Sequence, residues 1–299
     1  MSVIFEQVVI LMLFAIIGFI LAKCKKVAPA HSKFLSTLVV FVFLPAATFK
    51  SFATNFTFEY IKEKYDIILV SAVGTAVIAT LGFFLTKLLT KDNYRRSVYT
   101  YSLTVPNTGY MGLPLMQAIY SAGEVLNYLL FVLPINIYLY SIGYCSLTKT
   151  KLSFKKLINP PLIAITLGAI FGLSGLTLPD FATDFLSTAS APMGPCTMLI
   201  LGMTLSEYSF AKLLKQPMNY LITAMRLIII PTITVLILKL LGISNAILPA
   251  LVAYSMPCGL NTVVFPKLVD EDCETGAAIA LISTALSMVT IPFMISIFY

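Results

Sequence analysis

Two short stretches carry the residues whose types and spacing best suit chemistry. One reads Pro106-Asn107-Thr108-Gly109-Tyr110-Met111-Gly112-Leu113-Pro114, the other Pro257-Cys258-Gly259-Leu260-Asn261-Thr262. Each sets a proline, a glycine and an asparagine inside an otherwise apolar run. Proline removes a backbone donor and clashes with the preceding turn, while glycine admits non-helical dihedrals, so a helix carried through either stretch is expected to break there. The chemistry on offer is reversible binding, because a break frees N–H and C=O groups beside a side-chain amide. Bond-making chemistry has no comparable constellation. The chain lacks G-x-x-x-x-G-K-[ST], H-E-x-x-H and G-x-S-x-G, and its single histidine, His31, reads as a solvated surface residue. The five cysteines, Cys24, Cys145, Cys196, Cys258 and Cys273, form no C-x-x-C pair, which supports neither a disulfide framework nor a zinc site. No catalytic residue, metal or cofactor is expected, and the chain is not expected to be an enzyme.

The elements that position these stretches follow from composition. Of 299 residues, 59% are apolar and 11% charged, with a mean hydropathy of +0.93. Soluble chains carry about 25% charge, so an integral membrane protein is expected. A spanning helix and its turn take roughly 25–30 residues, leaving room for about ten helices. Apolar runs place them at 6–23, 33–54, 66–89, 94–120, 125–147, 160–178, 183–206, 216–240, 244–268 and 274–298. The first run is expected to be a retained helix rather than a signal peptide, because its lysines follow the apolar run and Glu6 precedes it. A basic linker at 149–159 separates a first half, 1–148, from a second, 160–299.

The net charge of +7 could suggest nucleic acid, but the positions of the basic residues argue for orientation instead. Fifteen of the 20 Lys and Arg fall in alternate loops: Lys23, Lys25, Lys26 and Lys33; Lys87, Lys91, Arg95 and Arg96; Lys149, Lys151, Lys155 and Lys156; Lys212 and Lys215; and Lys267. Lys50, Lys62, Lys64 and Lys239 lie on the opposite side, so both termini are expected to be extracytoplasmic in a multi-pass protein of the cell membrane. Five spans per half force the second half to enter the membrane in the opposite sense, an inverted-topology repeat. A weak register at an offset of about 150 pairs Gly18 with Gly168, Pro45 with Pro195 and Pro106 with Pro257. About twelve residues, or roughly 18 Å of helix, precede each break and set it near the middle of the bilayer. Paired breaks at corresponding places in two repeats point to a transporter's binding site.

Pro106-Asn107-Thr108, Met111-Gly112, Pro114-Leu115 and Ala118-Ile119-Tyr120 resemble the fourth-helix signature of the auxin efflux carrier family, which includes plant PIN-type auxin exporters and bacterial carriers of malate and malonate. Met256-Pro257-x-Gly-x-Asn261, and a last Ser-rich helix ending at Ile291-Pro292, resemble its ninth and tenth helices. The resemblance implies an all-α fold of ten transmembrane helices in two inverted five-helix repeats, in which broken helices four and nine cross. It is similar to the fold of bile-acid symporters and some sodium/proton antiporters. The short linker suits a compact microbial-type carrier. Carried over by motif, Asn107 and Asn261 are expected to contact substrate. Thr108, Gly109, Gly259 and Thr262 are expected to line the crossing beside the breaking prolines Pro106 and Pro257.

Half-helix N-termini favour a carboxylate, so the expected partner is a small organic anion such as malate, malonate or an auxin-like weak acid, alongside the lipid bilayer and no nucleic acid. A homodimer is left open. Arg226, inside the eighth span, is a further substrate-binding candidate, with bonding to backbone carbonyls or snorkelling to the cytoplasmic face as the alternative. No Asp or Glu lies clearly within an apolar span, so no buried acidic relay for a coupling ion is evident. The function expected is secondary active transport by alternating access at the crossing of helices four and nine, with an anion channel or uniporter as the alternative.

Overall fold

A computed structural model of the chain describes residues 2–28, 31–151, 158–208, 215–267, 269 and 271–299. Pro29 and Ala30, most of the basic linker with Lys155 and Lys156, and Lys212 and Asp270 lie outside the described residues. Within them the regular structure is helical. Seven helices are long and apolar enough to cross a membrane: α1 (Ile4–Lys23), α2 (His31–Asn55), α3 (Phe58–Leu89), α6 (Ala122–Thr148), α8 (Asp180–Ser206), α9 (Pro217–Leu240) and α12 (Glu274–Phe298). The other three expected spans take different forms. The sixth is a shorter apolar helix, α7 (Pro160–Leu173). The fourth divides into α4 (Asn93–Thr104) and α5 (residues 108–119), and the ninth into α10 (Ile247–Ser255) and α11 (Asn261–Lys267).

Local chemistry sets the ends. Thr57 caps α3 by accepting from Tyr60 N at 3.1 Å, so that helix begins eight residues before the expected start at 66. Its first turns hold Glu59, Lys62, Glu63, Lys64 and Asp66 and extend the helix beyond its apolar length. Asp92 caps α4 through Tyr94 N and Arg95 N, at 2.8 and 3.1 Å. The Arg95 amide bond, helped by that of Tyr94, holds its carboxyl below the usual carboxylate range. Asn159 caps α7 at Leu162 N, with Pro160 preset at the first helical position. That helix stops at Leu173, short of 178, because Gly175 takes a left-handed φ of +73° two residues later; Gly242, at +71°, ends α9 in the same way.

Three of the four π-helical turns among the described residues carry a proline inside a span. Val39–Phe43, Thr108–Gly112 and Met225–Ile229 each end two residues before a proline, Pro45, Pro114 and Pro231 respectively. The wider turn gives the pyrrolidine ring room where an α-turn would clash. Proline also leaves the carbonyl four residues earlier without its helical donor. For Pro114 that carbonyl belongs to Tyr110, and it accepts instead from Thr197 Oγ1 of α8 at 2.7 Å.

The innermost element is α10, buried from Leu248 to Ser255. By contrast α1 exposes Leu13, Ile16 and Ile20, and α3 exposes Leu69, Val73, Leu81 and Phe84, an apolar surface suited to lipid. Between these layers helices approach closely at glycine. A methyl built on Gly18 would lie 2.4 Å from the Leu199 carbonyl oxygen, and one on Gly168 would lie 2.8 Å from that of Phe49. Only hydrogen fits at either place, so α1 packs against α8, and α7 against α2, nearly backbone to backbone.

Candidate functional site: the paired helix breaks

The two breaks meet. Asn107 N donates to Pro257 O at 2.8 Å and Gly259 N donates to Val105 O at 3.4 Å, an isolated antiparallel pairing centred on Pro106 and Cys258. Each break thus satisfies part of the backbone that the other frees, as non-helical chain within a membrane requires. Further partners come from neighbouring helices. Tyr128 of α6 donates its hydroxyl to Thr108 O at 3.0 Å, and Ser283 of α12 accepts from Cys258 N at 3.0 Å. The Asn107 carbonyl accepts from Met111 N and Gly112 N at 3.3 and 3.1 Å, which starts α5 as a π turn.

A cavity of about 70 Å³ lies against this pairing. Pro106, Asn107, Thr108, Gly109, Gly259 and Asn261 line it, so six of the nine sequence-derived site residues come together at one place. Among the described residues its wall has no Lys, Arg, Asp or Glu. Asn107 is buried, and its Nδ2 has no hydrogen-bond partner among the described residues. Such a donor costs stability in isolation and is available to a ligand. A Cβ built on Gly109 would meet nothing within 4 Å, whereas one on Gly112 would fall 1.9 Å from the Tyr128 hydroxyl oxygen. Gly109 therefore leaves space beside the cavity, and Gly112 lets Tyr128 reach Thr108.

The remaining three candidates lie outside the cavity wall. Pro257 contributes its carbonyl to the pairing. Thr262 is fully buried and donates to Gly259 O at 3.0 Å and Gly276 O at 3.3 Å, tying α11 to α12. Arg226 is fully buried and uses three donors on backbone carbonyls: Nε on Met256 O at 3.2 Å, Nη1 on Leu103 O at 3.0 Å and Nη2 on Ala253 O at 3.2 Å. Its guanidinium carbon also lies 5.6 Å from the centre of the Tyr254 ring. These carbonyls belong to the last turns of α4 and α10, the negative ends of both half-helices. One fixed cation thus offsets two helix dipoles beside the break.

Sequence reasoning did not single out Asn136 and Tyr140, which line the cavity, or Tyr128 and Thr197, which hold the backbone around it. Asn136 carried a usable signal, an amide inside an apolar span. The hydroxyl groups did not, because Tyr and Thr are ordinary residues of membrane helices.

A chain of several membrane-length helices with a paired, amide-bearing interruption belongs to the class of membrane transport proteins, and comparison with known proteins agrees. The sequence model of the membrane transport protein family matches residues 3–153 and 146–295. The chain belongs to that family, the auxin efflux carriers. It is similar to an uncharacterized transporter of Methanothermobacter thermautotrophicus, 24% identical over 96% of both chains, and to one of Methanocaldococcus jannaschii, 25% identical over 96% of both.

Proposed function

We propose that the chain is a secondary carrier of a small organic anion, working by alternating access at the crossing of the two broken helices. The observation that carries this reading is the pairing of the breaks around a cavity with an unpartnered Asn107 amide. An uncharged amide can hold a carboxylate without keeping it, which suits a site that empties on every cycle. The start of α5 adds its positive dipole end, and Arg226 offsets the negative ends of α4 and α10, so the local field favours an anion. A cavity of about 70 Å³ is below the ~300 Å³ of ordinary small-molecule sites. The crossing must therefore open to admit substrate, as alternating access demands.

The same reading takes the fold as ten spans in two inverted repeats, with both termini extracytoplasmic. The glycine contacts support it. An offset of 150 carries Gly18 to Gly168 and Phe49 to Leu199, so the contact between Gly18 and Leu199 and that between Gly168 and Phe49 are one contact with the halves exchanged.

Proteoliposomes assayed with labelled malate, malonate and indole-3-acetate test the function. The wild-type chain is expected to show counterflow, uptake accelerated by the same acid trapped inside, which a channel does not show. Asn107→Ala and Asn261→Ala are each expected to lower the transport rate at least tenfold at normal expression, a loss of about 1.4 kcal/mol. Wild-type kinetics in both variants would remove the crossing as the substrate site.

A further inference from the structure

A second cavity, of about 540 Å³, lies away from the crossing, at the end of the bundle where α1 begins. Gln7 of α1, Lys50, Ser51 and Asn55 at the end of α2, Gln117 of α5 and Ser187 of α8 are among the polar residues of its wall, and apolar side chains fill in between. Lys50 is the sole charged residue of that wall among the described residues. It is only partly exposed, its Nζ donates to Ser187 Oγ at 2.6 Å, and no described acid lies within ion-pair distance of it. The adjacent Ser51 is 8% exposed, and its buried hydroxyl has no hydrogen-bond partner among the described residues.

An ammonium group in a partly apolar recess is costly unless a counter-charge approaches it. Here a neutral hydroxyl is its partner, and a second hydroxyl beside it is unused. The volume falls within the range of small-molecule sites, about 300–1,000 Å³, and exceeds what a monatomic ion fills. One cation matches one carboxylate, and the apolar part of the wall matches the body of an organic acid. We propose that this recess is a second anion-binding subsite, separate from the crossing, in which Lys50 receives the carboxylate of a small monocarboxylic acid and Ser51 donates to it. Its role as a loading station for transport rests on the carrier reading above; its binding does not.

Equilibrium binding of labelled benzoate to the purified full-length chain tests the subsite, with Asn107→Ala and Asn261→Ala combined so that the crossing is disabled. Benzoate is expected to bind that double variant and to be displaced by excess unlabelled benzoate. Lys50→Gln in the same background is expected to weaken binding at least tenfold, with Lys50→Arg retaining most of it. Benzyl alcohol, neutral and of similar shape, is expected to compete at least tenfold less well, a comparison that needs no variant of Lys50. The proposal falls if the double variant binds no benzoate, if Lys50→Gln binds as tightly as its parent, or if chloride at physiological concentration displaces benzoate fully. Loss of binding in Lys50→Gln together with wild-type transport in the asparagine variants would uphold the recess and remove the crossing; the opposite pattern would do the reverse.

Discussion

Arg226 has each of its nitrogens engaged on a carbonyl at the end of a half-helix. Replacing it with Met removes a donor from the Leu103, Ala253 and Met256 carbonyls inside the protein, and a buried polar group left unsatisfied costs about 1–3 kcal/mol. Arg226→Met is therefore expected to lower Tm in detergent and the yield of folded protein, with Arg226→Lys recovering part of the loss because one ammonium cannot span three carbonyls. A stable Arg226→Met with weakened anion affinity would instead place the guanidinium in the substrate path. The cation itself was legible in the sequence, as a rare charge within an apolar span. Its partners were not, because a backbone carbonyl has no letter of its own. The same holds for Thr197, whose hydroxyl answers a vacancy that Pro114 creates in another helix.

Elements were legible wherever hydropathy and helicity coincide. The expected spans and the observed helices share most of their boundaries to within about three residues, and both breaks fall in the stretches whose proline, glycine and asparagine foretold them. The largest exception, the early start of α3, has a plain cause. Hydropathy measures the part of a helix that sits in hydrocarbon, so the charged first turns of α3 were invisible to it, although Thr57 supplied a cap. Proline and glycine marked α5 as irregular, but the sequence did not reveal how its two glycines divide their work. Gly112→Ala is expected to drive the new methyl into Tyr128 and unseat its bond to Thr108, lowering Tm and transport together. Gly109→Ala meets open space, so its fold is expected to remain within about 1 kcal/mol of wild type, while substrate affinity changes as the cavity narrows. Equal Tm losses in the two variants would refute this division.

For the whole molecule, the proposed orientation follows from where the lysines cluster, and the cysteines allow a direct check. Cys24 is exposed in the first basic loop, whereas Cys258 and Cys273 are buried. In a variant that keeps Cys24 alone, a membrane-impermeant maleimide is expected to label it only after the inner face is opened; labelling of intact cells would invert the topology. The reciprocal glycine contacts have a further consequence. Gly18 meets the Leu199 carbonyl and Gly168 the Phe49 carbonyl, so each half offers the other the same position and receives it in return. That is the geometry of a self-complementary dimer interface, in which one surface serves as its own partner. Under the proposed inverted repeat, the basic linker joins what two separate copies of one five-helix chain, inserted in opposite senses, would assemble without it.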